Sequence, residues 1–276
     1  MHSQKSNYDW LIGDYMTTIF EAPGVTFEEW LYPPMDFGPM FEAGQKGLAY
    51  TFTETNGLYQ DDAMTIAVDA AGQPIAVAKD LSGNQANFTS LSGQRVLYQY
   101  YNVSDVYGAY GDGSVRKGRC ALGGFLNTSG VTLMITGLLS ADSTTTGPLF
   151  RLQDSTTFES FISLNADGLR VRRVPGEAEA ASAPIAVRGE RYLLTARINF
   201  TSGVMEIRKN GQFVQNVALT SQGTTSVLST TASFFGTFNA GTFARGFIHE
   251  IALVDEWLDN DMVLDYEARF KANAKL

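Results

Sequence analysis

"RYLLTARINFTSGVMEIRKNGQFVQNVAL", residues 191–219, decides the fold. Three apolar runs of strand length are separated by two turn signals, Thr201-Ser202-Gly203 and Lys209-Asn210-Gly211. Asn-Gly is the stronger of the two, because a two-residue type I′ turn needs positive φ at both central positions, which Asn tolerates and Gly adopts freely. In the middle run Val204, Glu206 and Arg208 alternate with Met205, Ile207 and Lys209, the period-2 pattern of a strand buried on one face. The stretch therefore predicts three consecutive antiparallel strands.

The same grammar continues outward in both directions. "VTLMITGLL" (131–139) and "GPLFRLQ" (147–153) read as strands, and "FESFISLNADGLRVRRV" (158–174) reads as a hairpin reversing at Asn165-Ala166-Asp167-Gly168. Toward the C-terminus, Phe247, Ile248, Ile251 and Leu253 mark a last strand. Asp259 or Asn260 then caps a helix over 259–272, with Met262, Val263, Tyr266 and Phe270 on one stripe. The fold class expected is all-β: a two-sheet antiparallel sandwich with a short C-terminal helix. Composition agrees, since 276 residues with 44% hydrophobic, 12% aromatic and only 18% charged residues, and 27 Gly, suit strands joined by tight turns. No repeat of solenoid or propeller length is visible.

A formal charge of −9 repels a phosphate backbone, and the densest basic group is only Arg170, Arg172 and Arg173, so nucleic acid is excluded as a partner. No segment approaches the roughly 20 apolar residues of a membrane span. "MHSQKSNYDWLIGDYM" at the start has no apolar leader region, which predicts synthesis in the cytoplasm without standard export. Cys120 stands alone, so there is no intrachain disulfide framework and no Cys-rich zinc site; within "GRCALGG" it reads as a small buried residue.

Residues 1–39 read as an extended N-terminal arm. Trp10, Phe20, Phe27, Trp30 and Tyr32 crowd a segment broken by Pro23, Pro33, Pro34 and Pro39, with a short helix expected within "SNYDWLIGDYMTTIF" (6–20). Aromatics in a piece too short for its own core dock on another surface, either the main domain or a neighbouring subunit. Next come "FEAGQKGLAYTF", "LYQDDAMTIAV" and "GQPIAVAKDLSGN", between 41 and 84, which show neither helical periodicity nor an obvious strand pair. Gly44 and Gly47 permit a sharp entry turn, and Asp80-Leu81-Ser82-Gly83-Asn84 can turn through side-chain bonds to its own backbone.

In their order these phrases resemble a linker module of bacteriophage virion proteins that precedes a laminin-G-like domain. Downstream, Asn210-Gly211, Gly246-Phe247-Ile248-His249-Glu250 and Trp257-Leu258 resemble the concanavalin A-like jelly roll in its laminin-G-like form. The resemblance implies three parts: an anchoring arm (1–39), a linker module (40–109) and a jelly roll (110–276). It implies a non-enzymatic structural protein of the virion at the tail tip, baseplate or tail fibre, with other virion proteins and copies of itself as partners. Capsid decoration and a glycan-binding receptor module are the alternatives, and a glycoside hydrolase ranks last.

Glycoside hydrolysis needs two carboxylates facing one bond. The carboxylates at the comparable place are Glu250, Asp255 and Glu256, and the odd spacing of Glu250 and Asp255 puts them on opposite faces of a regular strand, so no catalytic residue is expected. His249 alternates away from the apolar residues and reads as half-exposed. Tyr98, Tyr100, Tyr101, Tyr107 and Tyr110, within "YQYYNVSDVYGAYGD" (98–112), form the expected glycan or subunit contact. Calcium would take loop oxygens from Asp112, Asp142 or Asp154, each of which also serves as a simple turn former. No other cofactor is implied.

Overall fold

The computed structural model describes residues 19–22, 25–28, 35–90, 92–101, 106–122, 128–141, 147–153, 160–165, 168–185, 188–224, 231–237 and 243–276. Two compact units emerge, Met1–Asp36 and Phe37–Leu276. In the first, β1 (Ile19–Ala22) pairs antiparallel with β2 (Val25–Glu28), placing Phe20 opposite Phe27. Ile19 and Phe20, at the end of the stretch expected to be helical, are thus strand; β-branched and aromatic residues beside the Pro23-Gly24 turn signal favour a hairpin. Trp10, Trp30 and Tyr32 lie outside the described residues.

The second unit opens with a single helical turn, Gly38–Met40. Its first strands are β3 (Gly47–Thr51), β4 (Leu58–Tyr59), β5 (Pro74–Ile75), β6 (Val77–Ala78), β7 (Phe88–Ser90), β8 (Val96–Tyr101) and β9 (Val106–Asp112). Next are β10 (Gly118–Ala121), β11 (Gly130–Leu139), β12 (Phe150–Gln153), β13 (Phe161–Asn165), β14 (Gly168–Arg172) and β15 (Ala180–Ala181). The last are β16 (Tyr192–Asn199), β17 (Val204–Lys209), β18 (Gln212–Ala218), β19 (Thr231–Phe234) and β20 (Arg245–Val254), followed by α1 (Asn260–Asn273). One sheet runs β15-β14-β13-β12-β19-β10-β7-β6-β4; the other runs β18-β17-β16-β11-β20-β9-β8-β5, with β3 also on β20. The sandwich expected from the sequence is present.

The core lies between the sheets. Leu133, Ile135, Leu194, Ile198, Ile207 and Ile251 from one meet Phe150, Leu152, Ile162, Val171 and Phe234 from the other. Tyr50, Phe52, Phe88, Phe150 and Phe234 form a run of rings with centroids 5.2–6.2 Å apart, most of them edge-on. Strands β16 to β18 form the predicted meander, with Asn210 at φ 52° and Gly211 at φ 81° in the turn. Helix α1 is capped as predicted: the Asp259 carboxylate accepts from Met262 N at 2.8 Å, and Val263, Tyr266 and Phe270 are buried. Arg208 clamps the helix to β17 through Glu267 at 2.8 Å. The Trp257-Leu258 pair sets where the helix starts, because the Trp257 ring covers the Arg197 guanidinium at 4.6 Å and Arg197 donates to Leu258 O.

Residues 40–109, read from the sequence as a linker ahead of the sandwich, supply strands to both sheets, and β9 runs straight across the boundary at 110. Strands β4 to β7 have only two or three residues each, too few to display a period. Their connections are held by side chains instead. Asp80 accepts from Ala49 N and Ser82 N through Oδ1, and from Ser82 Oγ and Ala86 N through Oδ2, at 2.7–3.0 Å. The Asp80-Leu81-Ser82-Gly83-Asn84 phrase thereby docks its loop on β3. Asp61 closes its own turn by accepting from Thr65 and Ile66, bonds that hold its carboxyl below the usual range. Gly47 must be glycine because a Cβ there would lie 1.8 Å from Leu253 O on the paired strand.

Candidate functional site

One edge of β20 is occupied by β11 along its length; the other is shared. β9 pairs with Arg245–Ile248 and β3 with Glu250–Val254, so the neighbour changes at His249, whose carbonyl accepts from Phe52 N at 2.7 Å. Against β11, Thr136 stands opposite Glu250 and Gly137 opposite Ile248, which makes His249 an extra, bulged residue. The bulge resets the alternation. Ile248 and Ile251 both belong to the core, while Phe247, His249 and Glu250 project from the opposite face. There the Phe247 ring stacks on His249 at 6.1 Å, and Asn273 of α1 donates to Glu250 Oε1 at 2.9 Å.

His249, expected half-exposed, is 0% exposed. The bulge turns it onto Gly108, which leaves room for the imidazole, and Nδ1 lies 2.8 Å from Tyr107 O. A carbonyl only accepts, so Nδ1 carries the proton and Nε2 keeps a lone pair. Nε2 is buried with no hydrogen-bond partner among the described residues. Burial lowers the His249 pKa to about 4; the carbonyl opposes this, and the Arg191 charge adds to it. Glu250 is also 0% exposed. Its Oε1 accepts from Asn273 and from Thr51 Oγ1 at 3.4 Å, and its Oε2 has no partner among the described residues. Burial pushes its pKa up to about 8 against those two hydrogen bonds, with the Glu54 charge assisting, so the group is a neutral acid below that pH.

The five tyrosines do not form one surface. Register pairs Tyr98 with Ala109 and Tyr100 with Tyr107, on the core side of the sheet, but Leu97 with Tyr110 and Tyr101 with Val106, on the other. Tyr98 and Tyr107 stack in parallel at 5.0 Å with 4° between planes, and Tyr100 leans on Tyr107 at 5.1 Å. Tyr98 is buried, whereas Tyr100 and Tyr107 are each 37% exposed. The Tyr98 hydroxyl donates to Thr53 O at 3.4 Å. Its pKa is pushed up to about 12 by burial, with Tyr107 and Glu54 adding to the effect. Across the sheet, Tyr101 and Tyr110 flank Phe247 at 5.2 and 4.9 Å, and Arg245 donates to the Tyr110 hydroxyl at 3.0 Å.

Asp112 is a turn former. Its Oδ1 accepts from the backbone N–H groups of Ser114, Val115 and Arg116 at 2.9–3.1 Å, and its Oδ2 pairs with Arg116 at 3.2 Å. Asp142 and Asp154 lie outside the described residues, among which no group of three or more His, Cys, Asp or Glu could hold a metal ion. Asp255 and Glu256 serve the entry turn, accepting from Lys46 N and Gln45 Nε2 at 2.7 Å each. Cys120 is buried beside Tyr50, and burial pushes its thiol pKa up to about 12.

Two packed antiparallel sheets with an aromatic ladder at one edge define a jelly-roll-like β-sandwich domain, and comparison with solved structures agrees. The fold is similar to an arabinofuranosidase complexed with arabinofuranosyl-α-1,2-xylobiose, at TM-score 0.58 and 13% identity over 87% of this chain and 65% of that one. It is also similar to the botulinum neurotoxin serotype D binding domain, at TM-score 0.55 and 13% identity over 82% and 52% of the two chains. A third similar structure is described by the dependence of botulinum neurotoxin type C cell entry on two ganglioside molecules, with TM-score 0.52, 14% identity, and 82% and 51% coverage. The chain spans about half the length of those neurotoxin chains. At such identities the likeness establishes the fold alone. No family model and no curated protein matches the chain.

Proposed function

We propose that this chain is a non-enzymatic glycan-binding module built on the Tyr98, Tyr100 and Tyr107 ladder. The observation that carries the reading is the ladder itself: Tyr100 and Tyr107 each keep 37% of their surface exposed while Tyr98 is fixed behind them. Sugar rings offer apolar C–H faces that cover aromatic planes, and Glu54, whose charge is felt at Tyr98, supplies an acceptor for hydroxyls. One of the similar structures concerns cell entry that depends on two ganglioside molecules and another is complexed with arabinofuranosyl-α-1,2-xylobiose, which supports looking for a glycan first. The test is a glycan array with the full chain, followed by titration of any hit. Tyr100→Ala with Tyr107→Ala should weaken binding about 10-fold or more, since aromatic contacts of this kind contribute roughly 0.5–1.5 kcal/mol each. An array without a hit, or a hit indifferent to both changes, would reject the site.

The setting we propose for this module is a phage particle. Residues 1–39 would anchor it through Trp10, Phe20, Phe27, Trp30 and Tyr32, and the resemblance of residues 41–84 to virion linker modules is the support. Particles assembled with Trp10→Ala and Trp30→Ala should lose the protein by mass spectrometry, and electron microscopy of labelled particles would separate tail tip, baseplate or fibre from capsid.

Hydrolysis is a second reading, favoured by one observation: burial raises the Glu250 pKa to about 8, with the Glu54 charge adding to the effect, and a protonated carboxyl in an apolar setting is what a general acid requires. Against it, Glu250 is 0% exposed, with Oε1 tied to Asn273 and Thr51, so its proton has no path to a glycosidic oxygen arriving from solvent. We expect no turnover of arabinoxylan or other polysaccharides; activity abolished by Glu250→Gln would establish the second reading instead.

A further inference from the structure

The nine strands of the sheet β15-β14-β13-β12-β19-β10-β7-β6-β4 contain four charged residues, Arg119, Arg151, Arg170 and Arg172, and no carboxylate, in a chain of net charge −9. All four lie on the face away from the core, because each alternates with core residues: Cys120 follows Arg119, Phe150 and Leu152 flank Arg151, and Leu169 and Val171 flank Arg170. Register aligns Arg119, Ser233, Arg151, Ser163 and Arg170 in one row across five strands. The arginines of that row therefore stand about 10 Å apart, two strand spacings each. Glu179, just before β15, reaches Arg170 at 3.4 Å and Arg172 at 3.2 Å, and the Phe161 ring carries the Arg151 and Arg172 guanidinium groups at 4.2 and 5.2 Å. Ser233, between Arg119 and Arg151, is 2% exposed, and its Oγ has no hydrogen-bond partner among the described residues. The same holds for the buried Nε of Arg172. Both groups can donate, and buried donors in folded proteins find acceptors, so this face calls for a ligand rich in them.

From this face we infer a second binding site, separate from the tyrosine ladder: a saccharide chain bearing carboxylate or sulfate groups lies across β10, β19, β12, β13 and β14, with its acids on Arg119, Arg151 and Arg170. A guanidinium grips a carboxylate through two parallel hydrogen bonds, and a sulfate offers the same pairs of oxygens. The Ser233 hydroxyl, midway between two of the arginines, donates to the same ligand. Charge also selects among polyanions. Duplex DNA brings one negative charge per ~1.7 Å and meets repulsion from the acidic remainder of the chain, whereas a saccharide with widely spaced acids meets the arginine row and little else. In an extended saccharide whose successive sugars turn over, acids on alternate sugars face one side, a repeat comparable with two strand spacings.

The test is isothermal titration calorimetry of the full chain with hyaluronan, whose acid is a carboxylate on alternate sugars, with chondroitin sulfate, which adds sulfate, and with neutral dextran and duplex DNA. Binding to an acidic saccharide should weaken as salt is added, and dextran and DNA should not bind. Binding to chondroitin sulfate alone assigns sulfate as the group held; binding to both assigns carboxylate. Arg119→Gln with Arg151→Gln should weaken the interaction about 10-fold or more. Arg151 packs on Phe161, so that double change is paired with Ser233→Ala. The Ser233 hydroxyl has no partner among the described residues, so its removal should leave the thermal midpoint unchanged or higher while weakening binding roughly 3-fold. Tyr100→Ala with Tyr107→Ala should leave this binding as it was. Failure of both acidic polymers to bind, equal binding of dextran or DNA, or affinity indifferent to the arginine and serine changes would each overturn the inference. So would loss of binding through the tyrosine changes, which would place the acidic saccharide on the ladder instead.

Discussion

Glu250 gives the residue scale a measurable signature. Its carboxyl titrates at about 8 in the fold, raised from 4.5 chiefly by burial. Below 4.5 both folded and unfolded chains hold the proton and stability is untouched. Between 4.5 and 8 only the folded chain holds it, so the unfolded state binds fewer protons and stability falls as pH rises. His249 acts oppositely: lowered from 6.5 to about 4, it leaves the unfolded chain with more protons in that window, so stability rises with pH there and is level above 6.5. The two offset each other in mildly acidic solution, and among the described residues the decline from about 6.5 to 8 belongs to Glu250. Glu54 and Arg191 are the charged groups that act on this pair, on Glu250 and His249 respectively. Glu250→Gln keeps the shape and both Oε1 hydrogen bonds but removes the titration. The substituted protein should therefore be flat in thermal stability over that range and more stable than the parent at pH 8. Parallel decline in both proteins would show that some other group carries it.

At the scale of elements, what was legible depended on length and alternation. The β16–β18 meander could be read because its strands are long and its turn has a dipeptide that suits two positive φ values. Gly211 has no neighbour nearer than 3.5 Å to a would-be Cβ, so Gly211→Val meets strain from φ alone. It should cost about 1 kcal/mol or more, read as a lowered denaturant midpoint with unchanged slope. The bulge at His249 leaves a trace in the sequence too: Ile248 and Ile251 both face the core at a spacing of three, which no regular strand allows, and the two polar residues between them mark the extra position. Treating β20 as regular gave His249 the wrong exposure. The tyrosines scatter for the opposite reason, a regular alternation: five in 98–110 resemble one patch, but period 2 and the β8–β9 register assign Tyr98, Tyr100 and Tyr107 to one face and Tyr101 and Tyr110 to the other. Asn273 and Thr51, which meet at Glu250, come from opposite ends of this unit, and no local pattern announces such a meeting.

At the scale of the molecule, the sandwich class could be read from residues 110–276 while its boundary could not, because boundaries are written in pairings between distant strands. β20 is the case in point: β11 covers one edge, but the other is covered entirely by β3 and β9, whose residues begin at Gly47 and Val106. A fragment beginning at residue 110 would lose all of β3 to β8 and most of β9. It would bare the Phe234 ring, which packs on Tyr50 and Phe88, and free the Ile248–Val254 edge of β20. Exposed apolar edges of that length pair with one another. We therefore expect the 110–276 fragment to be insoluble or to lack a cooperative transition, and the 37–276 fragment to unfold in a single step. The measurement is expression of both fragments with thermal unfolding followed by near- and far-ultraviolet circular dichroism. A soluble 110–276 fragment with a sharp transition would show that the second sheet closes without β3 and β9, and that residues 40–109 decorate the sandwich instead of completing it.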